Sequence, residues 1–168
     1  HHGSTHSGNP QKITASESCL SLTDGHDVRT RSRNMAAIRS KDTKPELLIR
    51  KGLHAAGFRF RLHVRDLSGK PDLVLRRHRA VIFVNGCFWH GHECAMFKYP
   101  AARSEFWREK IGKNVERDTL AQRTLLEQGW RVCVVWECAL RGRHRLPEGS
   151  AIQKITSWLR SEDETLTI

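Results

Sequence analysis

The chain has 168 residues, enough for one domain with a substantial core, and a formal net charge of +11. It contains no apolar run long enough for a transmembrane helix, and its opening residues lack the basic-then-apolar order of a signal peptide. Its five cysteines, an odd number, fit a reducing cytoplasm better than a disulfide framework, and the charge excess points to a polyanionic partner such as nucleic acid.

Residues 1–26 are polar and without periodicity, and His1-His2-Gly3-Ser4 has the look of an expression-tag remnant. The segment reads as a mobile or accessory arm ahead of a single domain over 27–168. A basic stretch, Arg29 to Met35, opens that domain. A helix is expected from about Pro45 to Ala56, with proline in its first turn, a stripe of Ile49, Leu53 and Ala56, and Gly57 as its stop. Phe58, Phe60 and Leu62 alternate with arginines and predict a half-buried strand. After the turn Gly69-Lys70-Pro71, Asp72–Leu75 and Ala80–Val84 read as two strands. The four-residue connection Arg76-Arg77-His78-Arg79 makes them an antiparallel hairpin. A long loop follows from about 85 to 113, then a helix from Asn114 to Gln128 stopped by Gly129. Trp130–Trp136, apolar on both faces, predicts a buried central strand, and Ile152, Ile155 and Leu159 a closing helix. The order implies an α/β domain: a mixed sheet with helices on its faces.

Chemistry concentrates in Cys87-Phe88-Trp89-His90-Gly91-His92-Glu93-Cys94, directly after the apolar run ending at Val84. Thiolate and imidazole are zinc's preferred ligands, and four close a structural site. Cys138 follows the second apolar strand, so two strands ending side by side would gather Cys87, His92, Cys94 and Cys138, with His90 an alternative to His92. A lone cysteine or a lone Phe-Trp pair is more often core; here three candidate ligands share one short loop. Asp72, at a strand start one hairpin away, suits a hard divalent cation, and Glu46 on the preceding helix offers a second carboxylate. In a cationic chain this set fits metal-dependent phosphodiester cleavage, with His90 as proton acceptor oriented by Asp118 or Glu116. Phe88, Trp89 and Trp107, the last among Arg103, Arg108 and Lys110, are either core or a wedge that enters a base stack.

These residues resemble the very short patch repair endonucleases. The matching segments include Arg31-Ser32-Arg33-Asn34-Met35, Gly69-Lys70-Pro71-Asp72, Gly86 to His90, Glu105-Phe106-Trp107, Lys110 to Asp118, and Gly129 to Gly142, together spanning about 29–142. The resemblance implies a restriction-endonuclease-like fold with an added structural zinc. It implies a magnesium-dependent enzyme that nicks the thymine strand 5′ of a T·G mismatch left by 5-methylcytosine deamination. By position it implies Asp72 as the magnesium-binding aspartate, with the main-chain carbonyl of Val84 completing that site. It implies His90 as the base, Asp118 as its partner and Glu46 as an active-site glutamate. Cys87, His92, Cys94 and Cys138 match the zinc ligands, and Phe88, Trp89 and Trp107 the major-groove wedge. Met35 matches a minor-groove probe, and Lys110 and Asn114 the residues that read the mismatched bases. Val84 stands where the best-known member has threonine, a change that a main-chain ligand tolerates, and Asn85 where it has histidine. Gly91 and Glu93 interrupt a histidine run but spare His90 and His92. The expected setting is the bacterial cytoplasm, with double-stranded DNA as partner, mismatch-repair proteins as possible others, and a monomeric state. Two other readings share part of the pattern: a restriction-type nuclease that cuts both strands, and a non-catalytic zinc-stabilised DNA-binding module needing neither Asp72 nor His90.

Overall fold

The computed structural model describes residues 41–168. The expected N-terminal arm, its boundary with the domain at 26/27, and Met35 lie outside the described residues. The first helix among the described residues, α1 (Lys44–Ala55), starts where the sequence dictates. The Thr43 hydroxyl accepts from the Glu46 N–H and the Glu46 carboxylate accepts from the Thr43 N–H, each at 3.4 Å, a reciprocal cap reinforced by Pro45 in the first turn. Ile49 and Leu53, one turn apart, are buried, and so is Glu46. A buried carboxylate on an otherwise apolar stripe is the first sign that this helix does more than pack.

Five strands follow: β1 (Arg61–Leu62), β2 (Leu73–Leu75), β3 (Ala80–Asn85), β4 (Arg131–Trp136) and β5 (Thr165–Thr167), side by side in that order. β1, β2 and β3 pair antiparallel; β3, β4 and β5 pair parallel. Between β2 and β3 the chain makes a single 3-10 turn, Arg76–His78, and Arg79 turns left-handed (φ 48°) to close the hairpin. The parallel step from β3 to β4 is spanned by α2 (Ser104–Glu127). A short α3 (Glu137–Leu140) follows β4, and α4 (Ser150–Leu159) precedes β5.

Strand alternation divides the core in two. Leu73, Leu75, Ala80, Ile82, Cys133 and Val135 face one side with Ile49 and Leu53 of α1 and Ile155, Trp158 and Leu159 of α4. Val74, Val81, Phe83, Val132 and Val134 face the other side with Leu125 of α2. Each such aliphatic side chain contributes roughly 1.5–3 kcal/mol when fully buried. Both faces of β3 and β4 are covered, which is why they read as unbroken apolar runs.

Two expectations are corrected, and one strand is unexpected. The strand over Phe58–Leu62 shrinks to Arg61–Leu62, both exposed, because Phe58 turns into the core instead of alternating along a sheet. α2 begins at Ser104 rather than Asn114, so the loop spans 86–103. Its first two turns carry Phe106 and Trp107, which face other aromatics and not the sheet, and the apolar rhythm toward the core starts only at Ile111. β5 is a short strand at the sheet's edge, with only Leu166 of its three residues half-buried, too little periodicity to announce itself. No helix among the described residues is long and apolar enough to cross a membrane.

Candidate metal centre and active site

The parallel register sets Asn85 beside Trp136, so the residues just beyond β3 and β4, Cys87 and Cys138, emerge at the same end of the sheet. The loop then folds back on itself: the His90 N–H donates to the Gly86 carbonyl (3.2 Å), His92 to Cys87 (2.9 Å) and Phe97 to Cys94 (3.0 Å). Gly91 takes φ +63°, and a Cβ there would lie 2.8 Å from the Val115 side chain. Glycine therefore lets the loop lie directly on α2. The ligand atoms of Cys87, His92, Cys94 and Cys138 all lie within 4.8 Å of one another. His92 Nδ1 is 3.5 Å from Cys138 Sγ, against an edge of about 3.6 Å for a tetrahedron with zinc-like sulfur and nitrogen bond lengths. Trp136 stacks on the His92 ring, 4.2 Å between centroids and 7° from parallel, and fixes its plane. Burial pushes the Cys87 thiol up to about 12 and raises that of Cys138. Such thiols hold their protons until a cation displaces them, so donor set and spacing fit a thiolate-bound metal. His90, the alternative ligand, is not part of this cluster. Cys133 is a core residue of β4, its thiol pushed up to about 12 by burial.

The second group forms where β2 begins. Asp72 Oδ2 accepts the Val84 N–H at 2.7 Å, tying the carboxylate to the end of β3. Burial pushes Asp72 up to about 6; the Val84 bond works against that, nearby Glu46 adds to it, and His63 and His90 oppose it. Asp72, Glu46, His63 and His90 therefore share one electrostatic neighbourhood. His90 Nδ1 lies 2.5 Å from Asp118 Oδ2. A carboxylate only accepts, so Nδ1 carries a proton, and in the neutral ring Nε2 is the nitrogen left with a lone pair. Asp118, and not the exposed Glu116, is thus the partner of His90. Glu46 pairs with Arg50, which also bonds Asp42 at 2.7 Å and gives Nη2 to His63 Nε2 at 2.9 Å, so that this imidazole nitrogen lies 3.4 Å from Glu46 Oε1. Asp42, Arg50 and His63 carry no motif; the i,i+4 spacing of Glu46 and Arg50 is the one sequence signal that points to them.

The third group is aromatic. Phe88, Trp89 and Trp107 meet edge to face at 5.1–6.0 Å. Phe97 and Phe106 extend the cluster, and Tyr99 lies 4.9 Å from Phe97. All three central rings are half-buried, neither core nor free. Lys110 Nζ sits 5.6–5.7 Å from the Trp89, Phe106 and Trp107 rings, a cation over a π surface. Asn114, one turn further along α2, donates to the Trp89 carbonyl at 2.9 Å and accepts from Arg117 at 3.0 Å. The amide nitrogen thus braces the loop, while the amide oxygen is held within α2.

A family model described as DNA mismatch endonuclease Vsr matches residues 23–96. DNA mismatch endonuclease Vsr of Escherichia coli is 48% identical over 147 residues, covering 88% of this chain and 94% of the relative. The type II nicking enzymes V.XorIIP of Xanthomonas oryzae and V.NmeAIP of Neisseria meningitidis are 46% and 45% identical, covering 71% and 73% of this chain and 88% and 87% of the relatives. The chain belongs to the Vsr family of DNA mismatch endonucleases.

Proposed function

We propose that the chain nicks the thymine-bearing strand of duplex DNA on the 5′ side of a T·G mismatch, with magnesium at Asp72 and zinc at the thiol centre. The observation that carries this reading is the oriented His90–Asp118 pair in one electrostatic neighbourhood with Asp72. Magnesium held by Asp72 and the main-chain carbonyl of Val84 would offset charge on the scissile phosphate and acidify water. The protein's own groups do the rest. The Val84 N–H fixes one carboxylate oxygen of Asp72. Asp118 fixes the tautomer of His90, whose Nε2 takes the proton of the attacking water. Phe88, Trp89 and Trp107 form the wedge, and Lys110 and Asn114 on α2 stand beside it for the mismatched bases. A half-buried aromatic set under a lysine favours a weakened base step, since unstacking costs roughly a few kcal/mol and less at a mismatch. Zinc on Cys87, His92, Cys94 and Cys138 holds the loop that carries Phe88, Trp89 and His90. Residues 27–168 act as one catalytic domain in this reading, with Met35 reaching the minor groove.

The test is cleavage of end-labelled duplexes with and without one T·G mismatch, in magnesium and in its absence. A nick confined to the thymine strand of mismatched DNA is expected. Cutting of both strands in matched DNA would move the assignment to a restriction-type nuclease. Binding without cleavage in any context would move it to a DNA-binding module.

A further inference from the structure

Glu46 is 2% exposed, and a carboxylate that deep is expensive unless paired. Its partner is made for it. Arg50, one turn along α1, gives Nη2 to Glu46 and Nη1 to Asp42 Oδ1 at 2.7 Å, and Nη2 also lies 2.9 Å from His63 Nε2. The Arg50 side chain is 12% exposed. The polar contacts of its guanidinium among the described residues are these three side chains. The ligand atoms of Asp42, Glu46 and His63 lie within 4.8 Å of one another, a spacing that would suit a cation. A planar guanidinium with its fork of donors meets them instead. His63 adds a second tie. It adopts φ +50°, a conformation that non-glycine residues rarely take, and its N–H donates to the Asp72 carbonyl at 3.4 Å. One residue therefore holds the Asp72 main chain with its backbone and the Glu46–Arg50 pair with its ring.

We infer that Arg50 and His63 are positioning residues for strand cleavage. Arg50 is a built-in cation that fixes the Glu46 carboxylate in one orientation, and His63 sets the spacing between that carboxylate on α1 and Asp72 on β2. The inference rests on reading Asp72 and Glu46 as the cleavage centre. Because Arg50 is turned inward onto protein groups, its effect falls on the chemical step and on magnesium use, not on duplex affinity.

The experiment measures single-turnover nicking of a T·G duplex across a magnesium titration, with duplex affinity measured separately without divalent cation. The proteins are wild type, Arg50→Gln, Arg50→Lys, His63→Gln, Glu46→Gln, the Glu46→Gln/Arg50→Gln double variant and Asp72→Ala. Arg50→Gln is expected to slow nicking about 10- to 100-fold, the usual effect of losing a residue that orients a ligand, and to raise the half-saturating magnesium concentration. Duplex affinity should stay within about twofold, and in the Glu46→Gln background Arg50→Gln should add less than about twofold, because it acts through Glu46. Arg50→Lys should recover part of the rate. A wild-type rate and magnesium response in Arg50→Gln, or equal losses in both backgrounds, would overturn the inference. Should Arg50→Gln fail to fold, Arg50→Lys and His63→Gln carry the same cycle, and wild-type behaviour in both would overturn it. Nicking that survives Asp72→Ala would overturn the cleavage-centre reading and, with it, the positioning role of Arg50 and His63. Loss in Asp72→Ala beside unchanged Arg50 variants would overturn the positioning role alone.

Discussion

The thiol centre and the carboxylate centre begin three residues apart, at Cys87 and Val84, yet the groups that surround them differ. Around Asp72 and Glu46 the protein supplies its own counter-groups: a backbone N–H, a guanidinium and two imidazoles. Around Cys87 and Cys138 there are mainly other donors and a stacked indole, and burial drives the thiols toward their neutral form. The first group is largely paired by the protein's own side chains; in the proposed reading the second would be completed by a cation. A shell that is finished without its metal suits an ion exchanged during chemistry, and a shell that is unfinished without it suits an ion that is part of the fold.

The comparison can be broken hardest at Cys138. Cys138→Ala should lose the metal and destabilise the domain by several kcal/mol, below the about 10–16 kcal/mol that structural zinc supplies to small peptides, because two apolar faces remain. Thermal melts and zinc analysis check this, and an unchanged melting temperature with full zinc content would contradict it. Next comes Asp118→Asn, which leaves the His90 ring without its carboxylate partner. Nicking should slow by about 10²-fold with little change in stability, near the low end of what a positioned base contributes. Equal slowing on binding and on cleavage would remove His90 from the proton-transfer role. Trp89→Ala should weaken mismatch binding by about 1–3 kcal/mol, the range for one stacked base, and weaken matched binding less. Equal losses on both duplexes would argue against a wedge.

A further test is the sign of the Asp72 contribution. Its folded value is raised to about 6 from 3.8, so the folded state binds this proton more tightly than the unfolded one. The group therefore favours folding below about pH 4 and loses that contribution as pH rises through about 6. Metal-free Asp72→Asn should accordingly be more stable than wild type at pH 7, by about 1–3 kcal/mol, and match it near pH 3.5. A destabilised variant at pH 7 would reverse the account. Nicking at limiting magnesium should fall as pH drops through about 6, and excess magnesium should move that limb to lower pH by competing with the proton.

Much of this architecture is legible in the chain. The hairpin follows from two apolar runs and a four-residue basic turn, and the thiol centre from ligand spacing plus the rule that strands side by side end side by side. Phe88, Trp89 and Trp107 are legible as a possible aromatic set, though only the fold makes them half-buried neighbours beside Lys110. Other features are not legible, for physical reasons. The start of α2 hides because its first turns face other aromatics instead of the sheet, and β5 because one half-buried residue gives no period. Arg50 looks like a solvated helix charge, and His63 like a loop residue after a two-residue strand. Their convergence on Glu46 depends on a left-handed backbone turn at His63 that no local pattern encodes.

The most direct test of this division of labour is one preparation of Asp72→Ala, assayed together for zinc content, mismatch binding and nicking. A folded protein with one zinc per chain, wild-type affinity for the T·G duplex and no nick is the expected result. Loss of zinc or of folding would show that the two centres are not separable, and a persisting nick would show that cleavage is carried elsewhere.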